Sequence, residues 1–263
     1  MDVMTIVGAI VGIAFIVVGQ MIEGGHPGGL IQATAAFIVY GGCLGAMLAE
    51  FPLPKFIEGI KGALKVFKKS PDHTTQYIEK IVEYANIVRK QGILALEPKL
   101  QEIEDPFFKK GMQLLIDGTE PRIIRDILET DLLYQEEHAD LGPKMFESAG
   151  GYLPTFGIIG AVIGLIHVME NLDDPSGVGS GIAVAFVATV YGLMGANIVL
   201  LPISKKGRLL MMLHAVDCNV IIEGLMSIAA GENPRLIQEK LTGFLTEGQK
   251  QKMAGGAEKK EKK

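Results

Sequence analysis

Apolar residues fill four long windows of this chain that hold no Asp, Glu, Lys or Arg: residues 3–22, 24–49, 148–169 and 175–204. A helix of about 20 such residues crosses roughly 30 Å of hydrocarbon. Each window meets that length, so the pattern predicts four membrane-spanning helices over about 3–22, 30–49, 150–169 and 178–203. Short links at 23–29 and 170–177 join them in pairs. The stretch Ile22-Glu23-Gly24-Gly25-His26-Pro27-Gly28-Gly29 reads as a tight turn into the second span. The first window lacks a basic leading region and an Ala-x-Ala-like site, so it reads as a retained span and not as a signal peptide.

The remaining segments show helical spacing and no sustained alternation. Phe51-Pro52-Leu53-Pro54 ends the second span, because proline removes a backbone donor. Residues 55–69 set Phe56, Ile60, Ala63, Leu64 and Phe67 at helical spacing among Lys55, Lys61, Lys65, Lys68 and Lys69. That is an amphipathic helix at the inner membrane face, or else one packed on the cytoplasmic domain. Ser70-Pro71-Asp72 signals a helix start, and the helix runs over 72–92. Shorter helices follow over 93–103 and from Asp105-Pro106 to about 116. Thr119-Glu120-Pro121 caps a helix over 121–141 with Ile124, Ile127, Leu128 and Leu132 on one face. Gly142-Pro143 is expected to interrupt it before the third span. After Pro202, helices are expected over 204–230 and from Asn233-Pro234 to about 247.

The predicted fold is thus an all-α integral membrane protein with four transmembrane helices and an α-helical cytoplasmic domain. Residues 1–50 carry the first two spans. Residues 51–149 form the cytoplasmic helical domain with its interfacial helix, and 150–203 carry spans three and four. Residues 204–248 add C-terminal cytoplasmic helices, and 249–263 are a disordered tail.

Charge sets the orientation. All 25 Lys and Arg fall within 55–144 and 205–263. The positive-inside rule puts both stretches, and both termini, on the cytoplasmic side. The net charge of −5 argues against nucleic acid as a partner. The only cysteines, Cys43 and Cys218, make no disulfide framework or metal cluster.

Candidate chemistry is sparse. Span four carries Gly181, Ala185, Ala188, Gly192 and Gly195 on one face, and span three carries Gly157, Gly160, Ala161 and Gly164. Small residues let helices approach closely in lipid. The stripes serve packing of the two spans on each other, or closure around a helix of another chain. Thr189 lies on the span-four stripe, and such a hydroxyl commonly bonds its own i−4 carbonyl. Pro154 and Pro202 read as helix ends or as hinges. His167, Glu170, Asp173 and Asp174 make the second link acidic, which is a cation-attracting mouth or a solvated turn. No Asp or Glu lies in any span, whereas proton-moving membrane proteins carry an ionisable group at depth. Either the chain moves no ions or a partner brings the carboxylate.

These features resemble the MotA/PomA type of flagellar stator A subunit, within the wider MotA/TolQ/ExbB proton-channel family. The resemblance covers almost all of residues 1–247. It rests on the two-plus-two spans, the loop after span two and local motifs. Arg-x-x-Gly-x-Leu-Ala-Leu-Glu over 89–97 resembles the rotor-facing segment, which implies that Arg89 and Glu97 contact the rotor protein FliG. Leu-Pro-Thr-Phe-Gly-Ile-Ile-Gly around Pro154 resembles the span-three segment, and Pro202 the span-four proline. Ala-Thr-Val-Tyr-Gly places Thr189 where the family threonine faces the partner's ion-carrying aspartate. The resemblance implies five copies around two MotB-type subunits, which supply the membrane Asp and a peptidoglycan anchor. It also implies lipid contact, the bacterial inner membrane as location, no cofactor and no enzymatic chemistry. Sodium-driven stators resemble one another in a span-three threonine within Gly-Thr-Leu-x-Gly. Here Gly160-Ala161-Val162-Ile163-Gly164 offers no side-chain oxygen at Ala161, so H⁺ is expected as the coupling ion in preference to Na⁺. An ExbB/TolQ-type energiser of outer-membrane processes is the alternative. It is disfavoured by the four windows and the 89–97 segment. A stand-alone channel or transporter is disfavoured by the lack of charge in the spans.

Overall fold

The computed structural model describes residues 3–64, 66, 73–172, 175–251 and 253, without the side chains of 175–177. The described residues are helical or in turns, and no strand is present among them. Four helical stretches are long and apolar enough to cross a membrane, judged by length and composition: Met4–Ile22, Pro27–Glu50, Pro121–Glu170 and Val178–Ala229.

Two compact units divide the chain. The first comprises Met1–Ser70 and Ala139–Leu210, the second Pro71–His138 and Met211–Lys263. The boundaries fall away from the edges of the charge-free windows, because two helices run past those edges.

The first unit contains α1 (Met4–Ile22), a 3₁₀ turn over Pro27–Leu30, α2 (Ala33–Ala36), a π-helical turn over Phe37–Gly41 and α3 (Gly42–Glu50). Phe51 leaves the helix in an extended conformation, φ −115° and ψ 128°, as its position before Pro52 dictates. Then comes α4 (Leu53–Leu64). Its buried Gly59 and Ala63 press on Gly142 of α7 (Pro121–Glu170), where an added Cβ would meet the Gly59 oxygen at 3.0 Å and the Ala63 nitrogen at 2.9 Å. Leu53, Ile57 and Leu64 stay exposed beside the exposed Lys55 and Lys61. This helix therefore packs on the apolar helices and turns an amphipathic face outward. Lys65, Phe67, Lys68, Lys69 and the cap Ser70-Pro71-Asp72 lie outside the described residues.

The second unit has a conventional side-chain core. It contains α5 (Thr74–Gln91), a 3₁₀ segment over Ile93–Glu102, α6 (Pro106–Ile116) and α10 (Pro234–Thr242). Parts of α7 (Pro121–Glu170) and α9 (Leu201–Ala229) complete it. Asp105 caps α6 by accepting from the Phe108 amide at 2.8 Å, with Pro106 at the first helical position. Asn233 caps α10 by accepting from the Arg235 amide at 3.1 Å. Phe108, Met112, Ile124, Leu128, Leu225 and Ile237 are fully buried together. Burial pushes the Cys218 thiol up to about 12, which leaves it inert. The stretch after Thr246 is helical as far as described, and Met253 packs on this core. Residues 252 and 254–263 of the expected tail are outside the description.

Three proline expectations are corrected. Gly142-Pro143 does not interrupt a helix, since α7 runs unbroken over Pro121–Glu170 through Pro143 and Pro154. Pro202 does not end a helix. The chain stays helical through α8 (Pro175–Met194), a π-helical turn over Gly195–Leu200 and α9. A proline inside a helix removes one hydrogen bond and crowds the i−4 carbonyl. Before Pro202 the wide turn includes Ile198, whose carbonyl would meet the ring, so the π-turn absorbs the crowding. At Pro143, neighbouring helices hold both sides. Gly142 abuts α4, and an added Cβ on Gly207 of α9 would reach Pro143 Cγ at 2.7 Å.

Candidate functional site

Glycines set the geometry where α7 meets α8. An added Cβ on Gly164 would stand 2.7 Å from the Gly181 carbonyl oxygen and 2.8 Å from the Ala185 nitrogen. One on Gly157 would lie 3.0 Å from the Ala188 oxygen and 3.3 Å from Thr189 Cα. One on Gly192 would touch the Leu153 oxygen at 2.5 Å and Pro154 Cα at 3.2 Å. Both small-residue stripes are thus engaged within the chain, as backbone-to-backbone contact that no larger side chain permits.

This contact gathers three of the residues singled out from sequence. Thr189 sits at the level of Gly157, one turn from both Pro154 and Ala161 on α7. Thr189, Pro154 and Ala161 are each half-buried. The Thr189 hydroxyl donates to the Ala185 carbonyl at 3.3 Å, a long bond and the local one that a helical threonine makes. Ala161 adds a methyl group and no oxygen. Pro202 is elsewhere, exposed and 13 residues beyond Thr189, which is about 20 Å along a helix.

Arg89 and Glu97 belong to the other unit. Arg89 is in the last turn of α5, and Glu97 lies in the 3₁₀ segment that follows. Gly92 between them has φ +84°, a backbone that favours glycine, and this turns the chain back on itself. Both side chains are exposed, and neither has an ion-pair partner among the described residues. At the second link, the exposed His167 accepts from Asn171 through its carbonyl at 2.8 Å. Asp173 and Asp174 are outside the described residues.

The structure adds groups that periodicity did not point to. Tyr191 accepts from the Gln32 amide at 3.1 Å and donates to the Leu30 carbonyl at 2.6 Å. It thereby satisfies backbone groups orphaned where the Pro27–Leu30 turn meets α2. Its ring stacks on Tyr40 with centroids 5.9 Å apart. At the far edge, Ser148 Oγ donates to Glu50 Oε1 at 3.0 Å. A polar residue within a charge-free window was the only sequence signal for these. Two apolar clefts, of about 330 and 380 Å³, flank Tyr40. Their walls suit hydrocarbon and not a polar substrate.

Fold and site together describe an all-helical protein, with apolar helices long enough to cross a membrane, whose close α7–α8 contact holds Thr189 in windows free of Asp, Glu, Lys and Arg. The comparisons with known proteins narrow that class. Two family profiles match, Motility protein A N-terminal over residues 6–92 and MotA/TolQ/ExbB proton channel family over 99–211. Chemotaxis protein PomA of Vibrio alginolyticus is 36% identical over 250 residues, covering 95% of this chain and 98% of that one. The solved structure of MotAB from C. jejuni superposes with a TM-score of 0.88 at 34% identity, covering 94% of this chain and 97% of that chain. The flagellar MotAB stator complex from Bacillus subtilis does so with 0.87 at 30% identity, covering 95% and 98%. The chain belongs to the MotA/TolQ/ExbB proton channel family, as a flagellar motor stator subunit of the MotA/PomA type. It is a motor component and not an enzyme. The ExbB/TolQ-type reading is not favoured.

Proposed function

We propose that this chain forms the ion-driven, torque-generating ring of a flagellar stator. Five copies surround two MotB-type subunits in the bacterial inner membrane, with four spans per chain, lipid around them and both termini cytoplasmic. The observation that carries this reading is a close-packed α7–α8 pair presenting Thr189 in windows free of Asp, Glu, Lys and Arg. A chain so built can line an ion path but not carry the ion. The carrier carboxylate therefore comes from the partner's membrane Asp.

Thr189 distinguishes the two states of that carboxylate. Its only proton is given to Ala185, so its free lone pairs can accept from a protonated acid. An ionised carboxylate finds no donor there unless Thr189 breaks its own long bond. Protonation thus changes which side of the site the partner helix prefers. The change is felt at Pro154, one turn away, and bending at Pro202 with its π-turn carries it along α9. The resulting rotation pushes the rotor protein FliG through Arg89 and Glu97. The ion is H⁺. Sodium stripped of water needs several oxygen ligands, and Ala161 supplies none.

The test is complementation in a flagellated host lacking its own stator. Expressed with a MotB-type partner, the chain should restore swimming that is indifferent to external Na⁺ and abolished by a protonophore. Swimming that rises with Na⁺ at constant pH and survives the protonophore would overturn the proton reading.

A further inference from the structure

We infer that the apolar cleft of about 330 Å³ seats an anionic phospholipid, with an acyl chain between α3, α4 and α7 and the headgroup at Lys61. The inference rests on the four-span membrane reading above and names a ligand for it.

One wall of the cleft runs from Tyr40 to Met47, and the facing wall from Leu153 to Met145. Seven and eight helical steps make a slot about 10–12 Å long, running with the helices. Tyr40, Met47 and Leu153 lie inside charge-free windows, and Met145 lies just outside one. The slot therefore runs from the apolar windows to their edge, where Phe56 and Ile60 of α4 floor it. Leu44 and Ile60 line it and are exposed, so it opens to what surrounds the chain. Such a slot accepts a hydrocarbon chain and offers a polar ligand nothing to bond.

The floor helix indicates which lipid. Gly59 and Ala63 form the buried face of α4. Next round the helix come Phe56 and Ile60 in the cleft, then Leu53, Ile57 and Leu64 as an exposed apolar arc. At 3.6 residues per turn, Lys61 borders that arc. An apolar arc edged by a cation suits a helix lying in the plane of the headgroups. Lys61 is exposed and has no ion-pair partner among the described residues. Of the acids on α3 and α4, Glu58 is paired with Lys55 at 2.9 Å and Glu50 accepts from Ser148 at 3.0 Å, so neither takes up Lys61. The other cleft, of about 380 Å³, lies among Ile13, Pro27, Leu30 and Tyr191. None of its lining residues is basic, and no Lys or Arg precedes Lys55 in the chain, so it has hydrocarbon walls without a partner for an anion.

The lipid-binding cleft also adjoins the segments proposed to bend. Gly195, Val199 and Leu200 belong to the π-helical turn before Pro202, and Leu153 precedes Pro154. A seated chain packs against both.

The chain contains no Trp, so one introduced Trp reports its own surroundings. The complete complex with its MotB-type partner is reconstituted in equal parts of phosphatidylglycerol and phosphatidylcholine, with bromines on the chains of one lipid or the other. The parent complex, measured alike, subtracts the partner's emission. Phe56→Trp puts the reporter in the cleft, and Phe15→Trp, at the exposed Phe15 of α1, reports bulk lipid. One lysine near a bilayer surface favours an anionic lipid about fivefold. Phe56→Trp should therefore be quenched as if phosphatidylglycerol were about fivefold enriched beside it, whereas Phe15→Trp should be quenched alike by both lipids. Adding Lys61→Gln should abolish the preference, and so should Ala149→Leu, which fills the slot from α7. Leu44→Trp on the cleft wall serves as reporter if Phe56→Trp fails to assemble. Equal quenching of the cleft reporter by the two lipids would mean contact with bulk lipid only and would overturn the inference. So would a preference that survives Lys61→Gln. An unquenched cleft reporter beside a quenched Phe15→Trp would mean that another chain covers the cleft, and would overturn it too. A Phe15→Trp that neither lipid quenches would instead remove the membrane reading on which the inference rests.

Discussion

Thr189 and Ala161 show how little side-chain chemistry this site holds. At the proposed ion site Thr189 offers one hydroxyl, already bonded to its own helix, and Ala161 one methyl group. Selectivity at such a site is decided by how many oxygens are missing, and the shortage favours a proton over a cation that needs a shell. At the proposed rotor contact the logic is reversed. Arg89 and Glu97 are exposed and unpaired among the described residues, so they are available to charges outside the chain. Exposed ion pairs are worth about 0–1 kcal/mol each, so neutralising either residue should slow swimming only in part. Reversing both, Arg89→Glu with Glu97→Arg, should slow it further, and a matching reversal on FliG should restore part of the speed. Unchanged swimming speed in the double reversal would exclude these two as the contacts. Sequence made Thr189, Ala161, Pro154, Arg89 and Glu97 visible because each stands in a recognisable motif. It could not show that Thr189 meets α7 within one turn of Pro154 and Ala161 while Pro202 stands about 20 Å away along the chain's helix. Nor could it reveal Glu50 beside Ser148, because that neighbour is 98 positions distant.

The four apolar helices were legible from length and charge alone, and the caps at Asp105 and Asn233 from local chemistry. The prolines misled because their signal is local while their fate is tertiary. Pro143 and Pro154 lie inside one helix of 50 residues since neighbouring glycines let other helices hold the weakened turns. Pro202 survives because the preceding turn widens, and no sequence periodicity announces a π-turn. Close contact between α7 and α8 also makes a sharp prediction. Gly164→Ala would set a Cβ 2.7 Å from a backbone oxygen of the facing helix, which cannot yield as a side chain can. The pair must then separate, and ion-driven swimming should be largely lost even if the protein still reaches the membrane. Gly151, with nothing within 4 Å of an added Cβ, is the control, and Gly151→Ala should swim nearly as the parent does. Normal swimming of Gly164→Ala would show that the tight pair is not required.

Two compact units share two helices, since α7 begins in the second unit and ends in the first, and α9 does the reverse. Thr189, the proposed ion site, lies in the unit with the apolar helices, and Arg89 and Glu97 lie in the other. Any ion-driven change at Thr189 has continuous helical backbone along which to reach the second unit. On the proposed mechanism, continuity through Pro143 and through the π-turn before Pro202 serves the coupling. The central claim is that the chain builds a proton path but owns no proton carrier. Its most direct test is H⁺ uptake into proteoliposomes holding the chain alone, the chain with its MotB-type partner, or the chain with a partner whose membrane Asp is replaced by Asn. Uptake should occur only with the intact partner, at a rate independent of Na⁺. Robust H⁺ flux through the chain alone, or undiminished flux with the Asp→Asn partner, would contradict the claim.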